Sequence, residues 1–172
     1  MYDEVAQNKR RSTVLIAVFV IFTTAVVWAA LRLMGATGIG IVGIAAVVAI
    51  GTAWLAYWKS DEVALRMSRA VEADPVTYAR LHNLVEGLCI ASGLPKPRIY
   101  VIDDVAPNAF ATGRSPRHAA VAVTTGLLDK MNRIELEAVL AHELSHVKNN
   151  DILVATLAVT MVGLVALVSD FF

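Results

Sequence analysis

The sequence predicts a membrane α-helical protein with three transmembrane helices and a small α+β domain on the cytoplasmic side. Of the 172 residues, 57% are hydrophobic and only 17% are charged, whereas soluble domains have about 25% charged residues. The apolar residues are concentrated in three runs, and a polar stretch separates the second run from the third. The chain therefore divides into a membrane hairpin at 1–58, a polar domain at 59–151 and a third membrane helix at 152–172.

The three apolar runs have the length of membrane spans. The first two occupy about 13–33 and 39–58, and the third occupies 152–172. Each is close to the ~20 residues that cross the hydrocarbon core of a bilayer. A signal peptide is the alternative for the first run, but the run exceeds the ~7–15 residues of a signal-peptide core and a second span follows it closely.

Basic residues predict the orientation of these spans. Those near the hairpin are Lys9, Arg10, Arg11, Arg32, Lys59, Arg66 and Arg69, and Arg32 alone lies in the connector. The positive-inside bias places the N-terminus and the polar domain on the cytoplasmic side of the membrane. Acidic and basic residues balance at 15 each, so the lipid bilayer is an expected partner and nucleic acid is not.

The polar domain combines helical and strand-like patterns. The predicted elements are helices at 61–73 and 74–92, a strand at 98–102 and β-like segments at 106–113 and 118–124. Asp74 followed by Pro75 is typical of a helix start, and Gly93 of a helix end. The last two segments flank a basic turn and are expected to pair as a hairpin.

The strongest chemical motif is the sequence His142-Glu143-Leu144-Ser145-His146. It lies in a predicted helix that Asn132 caps, with Glu135 completing a capping box. Histidines at i and i+4 project from one helix face, so both imidazoles can reach one Zn²⁺ ion. The carboxylate beside the first histidine can accept a proton from water, which is the arrangement of a zinc peptidase.

The position of Glu143 on the helix supports this interpretation. A helical projection places Glu143 within an apolar stripe formed by Leu136, Val139, Leu140, Leu144 and Val147. A carboxylate in such a stripe is costly unless it has a partner. The alternative is that His142 and His146 are ordinary surface histidines and that the pattern is a coincidence.

Several segments together resemble the HtpX family of membrane-bound zinc metalloendopeptidases. These are HELSHVKNND at 142–151, NAFATG at 108–113, AAVAVTTGLL at 119–128 and the paired N-terminal spans. The resemblance implies a zincin-like domain, a Zn²⁺ cofactor and polypeptide substrates. It further implies a location in the cell inner membrane and a role under stress, in which misfolded or damaged membrane proteins are degraded for quality control.

The resemblance also implies the roles of individual residues. His142 and His146 would bind zinc, and Glu143 would be the catalytic base. The residues expected to align the substrate are Asn108, Val121, Ala122, Val123 and Thr124.

The resemblance has one gap. The third zinc ligand of the family is a Glu beyond a further span, and no Glu, His or Cys follows His146 here. The polar domain is therefore expected to be incomplete at its C-terminal end, and the 172-residue chain to be an inactive fragment of a protease. Asp151 is expected to cap the third span. The alternatives are a non-catalytic membrane protein or pseudoprotease that binds metal weakly or not at all, and a membrane scaffold with a coincidental motif.

Overall fold

The computed structural model describes residues 2–35, 37–38 and 40–156. The α-helices are α1 (Tyr2–Leu33), α2 (Gly40–Met67), α3 (Ala79–Ser92), α4 (Thr125–Lys130) and α5 (Arg133–Asn149). The strands are β1 (Val71–Glu72), β2 (Arg98–Ile102), β3 (Ala109–Gly113) and β4 (Ala119–Thr124). A short 3₁₀ turn (Pro116–His118) joins β3 to β4. A further helical segment begins at Ile152 and reaches the end of the described residues at Thr156.

The predicted membrane hairpin corresponds to α1 and α2, which pack against each other. Ala6–Leu33 of α1 is long and apolar enough to cross a membrane, and only 6% of its most apolar stretch is buried. The α2 helix bends by 61° between Gly40–Leu55 and Tyr57–Met67, and its two arms make a second candidate span only if they are counted together. A core helix of a soluble protein would be mostly buried, which α1 is not.

The expected number of three spans is therefore not reached in the described part of the chain. One helix meets the length and composition of a span, or two if the bent pair is included. The predicted third span at 152–172 falls almost wholly on residues 157–172, which lie outside the described residues. The predicted helix at 61–73 is wrong in its bounds, because these residues begin within the second arm of α2, which ends at Met67, and the chain then forms β1.

The polar domain is built on a four-stranded mixed sheet in the order β1-β2-β4-β3. β3 and β4 pair antiparallel, with Ala111 opposite Val121, which confirms the predicted hairpin. β2 and β4 pair in parallel, with Ile99 also opposite Val121. β4 is thus an interior strand and β3 is the edge strand beside it.

The two faces of β4 pack against different helices. Ala119, Val121 and Val123 belong to the main core with residues of α3 and α5, including Leu81, Val85, Leu136, Leu140 and Leu144. Ala120 and Ala122 pack with Leu65 of α2 on the other face. Because both faces are covered, all six residues of β4 are buried, which explains its continuous apolar sequence.

Two polar contacts fix the sheet against the second arm of α2. Arg98 of β2 donates to the Asp61 carboxylate at 2.5 Å, and Asp61 is 8% exposed. The Arg114 guanidinium, in the turn after β3, lies 4.5 Å from the centroid of the Trp58 ring, within the range of a cation–π contact. The sheet is therefore attached directly to the end of the α1–α2 hairpin.

Helix α3 begins later than the sequence predicts. Its first residue is Ala79, because Asp74 caps a turn rather than the helix itself. The Asp74 carboxylate accepts hydrogen bonds from the backbone N–H and the hydroxyl of Thr77, each at 2.7 Å. The predicted helix end is confirmed, since Gly93 adopts the left-handed conformation with φ 70°.

Candidate functional site

Helix α5 carries the histidine motif and begins with the predicted capping box. Asn132 accepts hydrogen bonds from the backbone N–H of Ile134 and Glu135, and the Glu135 carboxylate accepts from the Asn132 N–H. The stripe predicted from the helical projection is confirmed, because Leu136, Leu140, Leu144 and Val147 are all buried. A rigid, packed helix therefore holds the residues of the motif.

The two histidines converge through their Nε2 atoms. These nitrogens lie 3.3 Å apart, and the ring planes of His142 and His146 make an angle of 83°. Two Zn–N bonds of about 2.0–2.1 Å at a tetrahedral angle place their nitrogens about 3.3–3.4 Å apart. The observed separation thus fits a pair of nitrogen ligands on one zinc ion.

Asp151 contacts the other nitrogen of the second histidine. Its Oδ2 lies 2.8 Å from Nδ1 of His146, whereas only its backbone carbonyl accepts from the next turn, from the N–H of Ala155. Asp151 caps the following helix as expected, but it does so with its backbone carbonyl. Its side chain contacts His146 instead.

Glu143 has a partner that the sequence did not suggest. Its Oε2 accepts a hydrogen bond of 3.1 Å from the backbone N–H of Ala111 in β3. Glu143 is half-buried between the apolar stripe and the edge of the sheet. The catalytic candidate therefore lies at the strand edge, and the cost of placing a carboxylate in the stripe is offset by this hydrogen bond.

The expected substrate-aligning residues lie one strand further in. Val121, Ala122, Val123 and Thr124 belong to β4, which pairs with β2 on one side and β3 on the other. The strand expected to align the substrate is therefore not an exposed edge, because strands on both sides use its backbone groups. Asn108 precedes β3, and its backbone N–H and carbonyl bond with Thr124, so both groups face β4. The substrate role predicted for all five residues stays a prediction.

The outer edge of β3 is the surface beside the motif. Asn108 bonds to β4, and the backbone direction alternates along a strand, so Ala109, Ala111 and Gly113 direct their N–H groups away from β4. The N–H of Ala111 donates to Glu143, and that of Gly113 donates to the Thr156 hydroxyl at 3.3 Å. The Thr156 hydroxyl is also 2.9 Å from that of Thr112.

The other two histidines are used elsewhere in the fold. Nε2 of His82 lies 3.0 Å from the carbonyl oxygen of Ala73, and Nδ1 of His118 lies 2.9 Å from the Ser115 hydroxyl. Within residues 2–35, 37–38 and 40–156, no group of three or more His, Cys, Asp or Glu side chains could hold a metal ion. His142 and His146 are thus a two-nitrogen site in this part of the chain.

Three contacts of the site were not predicted from the sequence: Asp151 on His146, the Ala111 N–H on Glu143, and Thr156 on the β3 edge. The contacts of Ala111 and Thr156 depend on how strands and helices pack, and no local pattern indicates them. Asp151 follows His146 by five residues, a spacing that allows the chain to fold back after a helix end. That spacing was the one available signal.

Comparison with known proteins identifies relatives along the whole chain. The sequence profile of Peptidase family M48 matches residues 75–170. A "Protease HtpX homolog" of Caldanaerobacter subterraneus subsp. tengcongensis is 42% identical over 172 residues, which is 100% of this chain and 57% of the relative. A "Protease HtpX homolog" of Dictyoglomus turgidum is 43% identical over 98% of this chain and 55% of the relative. One of Desulfatibacillum aliphaticivorans is 54% identical over 70% of this chain and 39% of the relative.

The chain spans about half the length of the curated relatives that it matches. The matched profile includes α3, the sheet from β2 onward and the histidine motif of α5. Because that profile covers more than half of the chain, this protein belongs to peptidase family M48, and the resemblance to the HtpX proteases is confirmed.

Proposed function

We propose that this chain carries the zinc-binding and proton-transferring part of a zinc-dependent endopeptidase of the cytoplasmic membrane. The observation that carries the proposal is the convergence of the His142 and His146 Nε2 atoms at 3.3 Å, beside a carboxylate held at a strand edge. M48 membership supports a metalloprotease as the general class. Zinc binding and substrate type are the finer parts of the proposal.

His142 and His146 would hold the metal through Nε2, and Glu143 would move the proton. Zn²⁺, when bound, supplies Lewis acidity that polarises a carbonyl group and makes water more acidic. The Glu143 carboxylate accepts a proton from the attacking water and passes it to the departing amine nitrogen. Its hydrogen bond to the Ala111 N–H fixes the orientation of the carboxylate.

The substrate peptide would add to the outer edge of β3. An extended peptide can pair with an edge strand through main-chain hydrogen bonds, which leaves sequence preference loose. The N–H of Ala109 and the carbonyls of Ala109 and Ala111 point outward there, whereas the Ala111 N–H is bonded to Glu143 on the same edge. The Gly113 N–H already donates to the Thr156 hydroxyl, so the part of the β3 edge that a peptide could use ends before Gly113. β3 replaces β4 as the substrate-aligning strand in this proposal.

The site would act close to the membrane surface. The Asn8 side chain, near the start of the apolar helix α1, donates to the carbonyl of Asn149 at the end of α5 at 3.2 Å. This contact joins the motif helix to the membrane hairpin. We therefore propose that substrates are cytoplasmic segments of misfolded or damaged membrane proteins, with quality control under stress as the biological role.

A second function has a specific observation in its favour. Only two nitrogens converge in the described part of the chain, and no third ligand joins them there. Two histidines alone bind zinc more weakly than the three protein ligands of a catalytic site. The second candidate is therefore a non-catalytic membrane protein or pseudoprotease with weak or no metal binding.

Zinc titration combined with a protease assay separates the two candidates. We expect a protein extended to its relatives' length to bind one zinc and to hydrolyse unfolded casein in detergent. If the protein is an endopeptidase, the His146→Ala variant should lose both zinc binding and casein hydrolysis. Casein hydrolysis that survives in His146→Ala, or a protein that binds no zinc in wild-type form, rejects the endopeptidase.

A further inference from the structure

The two oxygens of the Asp151 carboxylate have different surroundings. Its Oδ2 lies 2.8 Å from Nδ1 of His146, and its Oδ1 is buried with no hydrogen-bond partner among the described residues. A buried carboxylate oxygen without a partner costs stability. A buried carboxylate oxygen that lacks a protein partner calls for a physical explanation, and its place beside His146 points to the site.

The backbone is arranged to bring this carboxylate back to the helix. Helix α5 ends at Asn149, and Asn150 adopts the left-handed conformation with φ 56°, which asparagine tolerates better than most non-glycine residues. The reversal returns Asp151 to His146, one turn up the helix. The Asn8 side chain holds the same turn from α1 through the Asn149 carbonyl.

The geometry points to Asp151 as the positioning residue for His146. We propose that its carboxylate accepts the Nδ1–H of His146, which fixes the imidazole ring and keeps the Nε2 lone pair directed at the point shared with His142. A carboxylate on the outer nitrogen of a metal-binding histidine sets the tautomer and raises the basicity of the other nitrogen. This inference rests on the proposed zinc function.

Asp151 acts through His146 and not as a ligand itself. Its bonded oxygen faces Nδ1, whereas the nitrogen that faces His142 is Nε2. The two nitrogens lie on different sides of the ring, so one carboxylate in this position cannot serve both. The 3.3 Å separation of the Nε2 atoms already matches a pair of zinc ligands without it.

The first measurement needs no metal. The chain has four histidines, so ¹⁵N-histidine labelling of the metal-free chain in detergent gives four imidazole pairs, and His146→Gln identifies the pair of interest. We expect His146 to carry its proton on Nδ1 at a pH where it is neutral. In Asp151→Ala we expect the proton to move to Nε2. A wild-type His146 protonated on Nε2, or no change in Asp151→Ala, overturns the proposal.

The second measurement is zinc affinity by competition with a chromogenic chelator. We expect Asp151→Ala to lower the affinity by about 10–100-fold. Asp151→Asn, which keeps the shape but not the charge, should lower it by a smaller factor. The matched control is Asp129→Asn, an exposed aspartate on α4, which should bind zinc as the wild type does.

The two measurements separate the inference from the proposed function. If Asp151→Ala does not fold, the wild-type tautomer and the affinity of Asp151→Asn decide the question. Affinity of Asp151→Asn equal to that of Asp129→Asn overturns the positioning role. If the wild-type chain binds no zinc but His146 carries its proton on Nδ1, the zinc function fails while the Asp151–His146 contact is supported.

Discussion

The backbone N–H of Ala111 and the carboxylate of Glu143 lie 3.1 Å apart, so the edge strand and the motif helix are joined by the residue predicted to transfer the proton. A peptide paired with the outer edge of β3 would run directly past that carboxylate. The contact also means that a substitution at position 143 must be judged for its effect on the strand as well as on chemistry.

Replacing Glu143 by Gln should remove proteolysis and leave zinc binding intact. The amide oxygen can still accept from Ala111, so the strand contact survives, but an amide cannot accept the proton from water. General acid–base catalysis contributes about 10²–10⁴-fold, and we expect a loss of at least about 100-fold in casein hydrolysis by a protein extended to its relatives' length. Glu137→Gln, an exposed position on the same helix, is the matched control. A Glu143→Gln protein that cleaves at the wild-type rate removes Glu143 from the mechanism.

The four histidines should divide into two classes in a zinc titration. His142→Ala and His146→Ala should each lose binding, because each removes one of the two converging nitrogens. His82→Ala and His118→Ala should bind like the wild type, since these rings are hydrogen-bonded to Ala73 and Ser115. Isothermal titration in detergent measures all four. Binding that depends on His82 or His118 would mean that a ligand has been assigned wrongly.

Gly113 and Gly87 should respond in opposite directions to alanine. At Gly113 φ is 133° and an added Cβ would lie 2.3 Å from the carbonyl oxygen of His118, whereas at Gly87 an added Cβ meets nothing within 4 Å. The conformation alone costs an alanine at Gly113 about 1–2 kcal/mol. Gly87→Ala, inside α3, should stabilise by about 0.5–1 kcal/mol. Thermal unfolding in detergent gives both values, and a Gly113→Ala protein as stable as wild type would contradict the sharp turn after β3.

The Asp74 side chain should stabilise the fold only at pH values at which its carboxyl group is ionised. The hydrogen bonds from the Thr77 hydroxyl and backbone N–H hold the pKa of Asp74 below its ordinary value of 3.8. A lowered folded-state pKa gives stability that is fully present above the unfolded value and is lost as the pH falls through the folded value. The difference in unfolding temperature between wild type and Asp74→Asn should therefore be constant at neutral pH and shrink below pH 3.8. A difference in unfolding temperature that stays constant below pH 3.8 would contradict the stabilising hydrogen bonds to the Asp74 carboxylate.

Local patterns in the sequence predicted the helix that carries the site and the hairpin beside it. The Asn132 capping box and the buried stripe of α5 are both found as expected, because capping and helical periodicity act within a few residues. The β3–β4 hairpin followed from two apolar segments around a turn. These features do not depend on the rest of the fold.

Features that depend on packing between distant segments were mistaken or missed. The continuous apolar sequence of β4 identified a strand but not its interior place, which requires β2 to pair on its other side. The Ala111–Glu143 contact joins residues 32 positions apart, and no local rule supplies it. The observed start of α3 is later than the predicted one, because the Asp74 carboxylate caps a turn with the same hydrogen bond that it would make at a helix start.

The orientation of the site relative to the membrane can be tested with single cysteines. Cys89 is the native thiol and is buried, and burial raises the pKa of this thiol, so Cys89→Ala is a suitable background. Ser145 and Lys148 are exposed on α5, and Thr37 is exposed in the connector between α1 and α2. The positive-inside bias puts α5 on the cytoplasmic side and the connector on the opposite side.

Ser145→Cys and Lys148→Cys should react with a membrane-impermeant maleimide in inside-out vesicles only. Thr37→Cys should react in right-side-out vesicles only. The reverse pattern would place the site outside the cytoplasm, and equal labelling of all three in both preparations would mean that the apolar helices do not span the membrane.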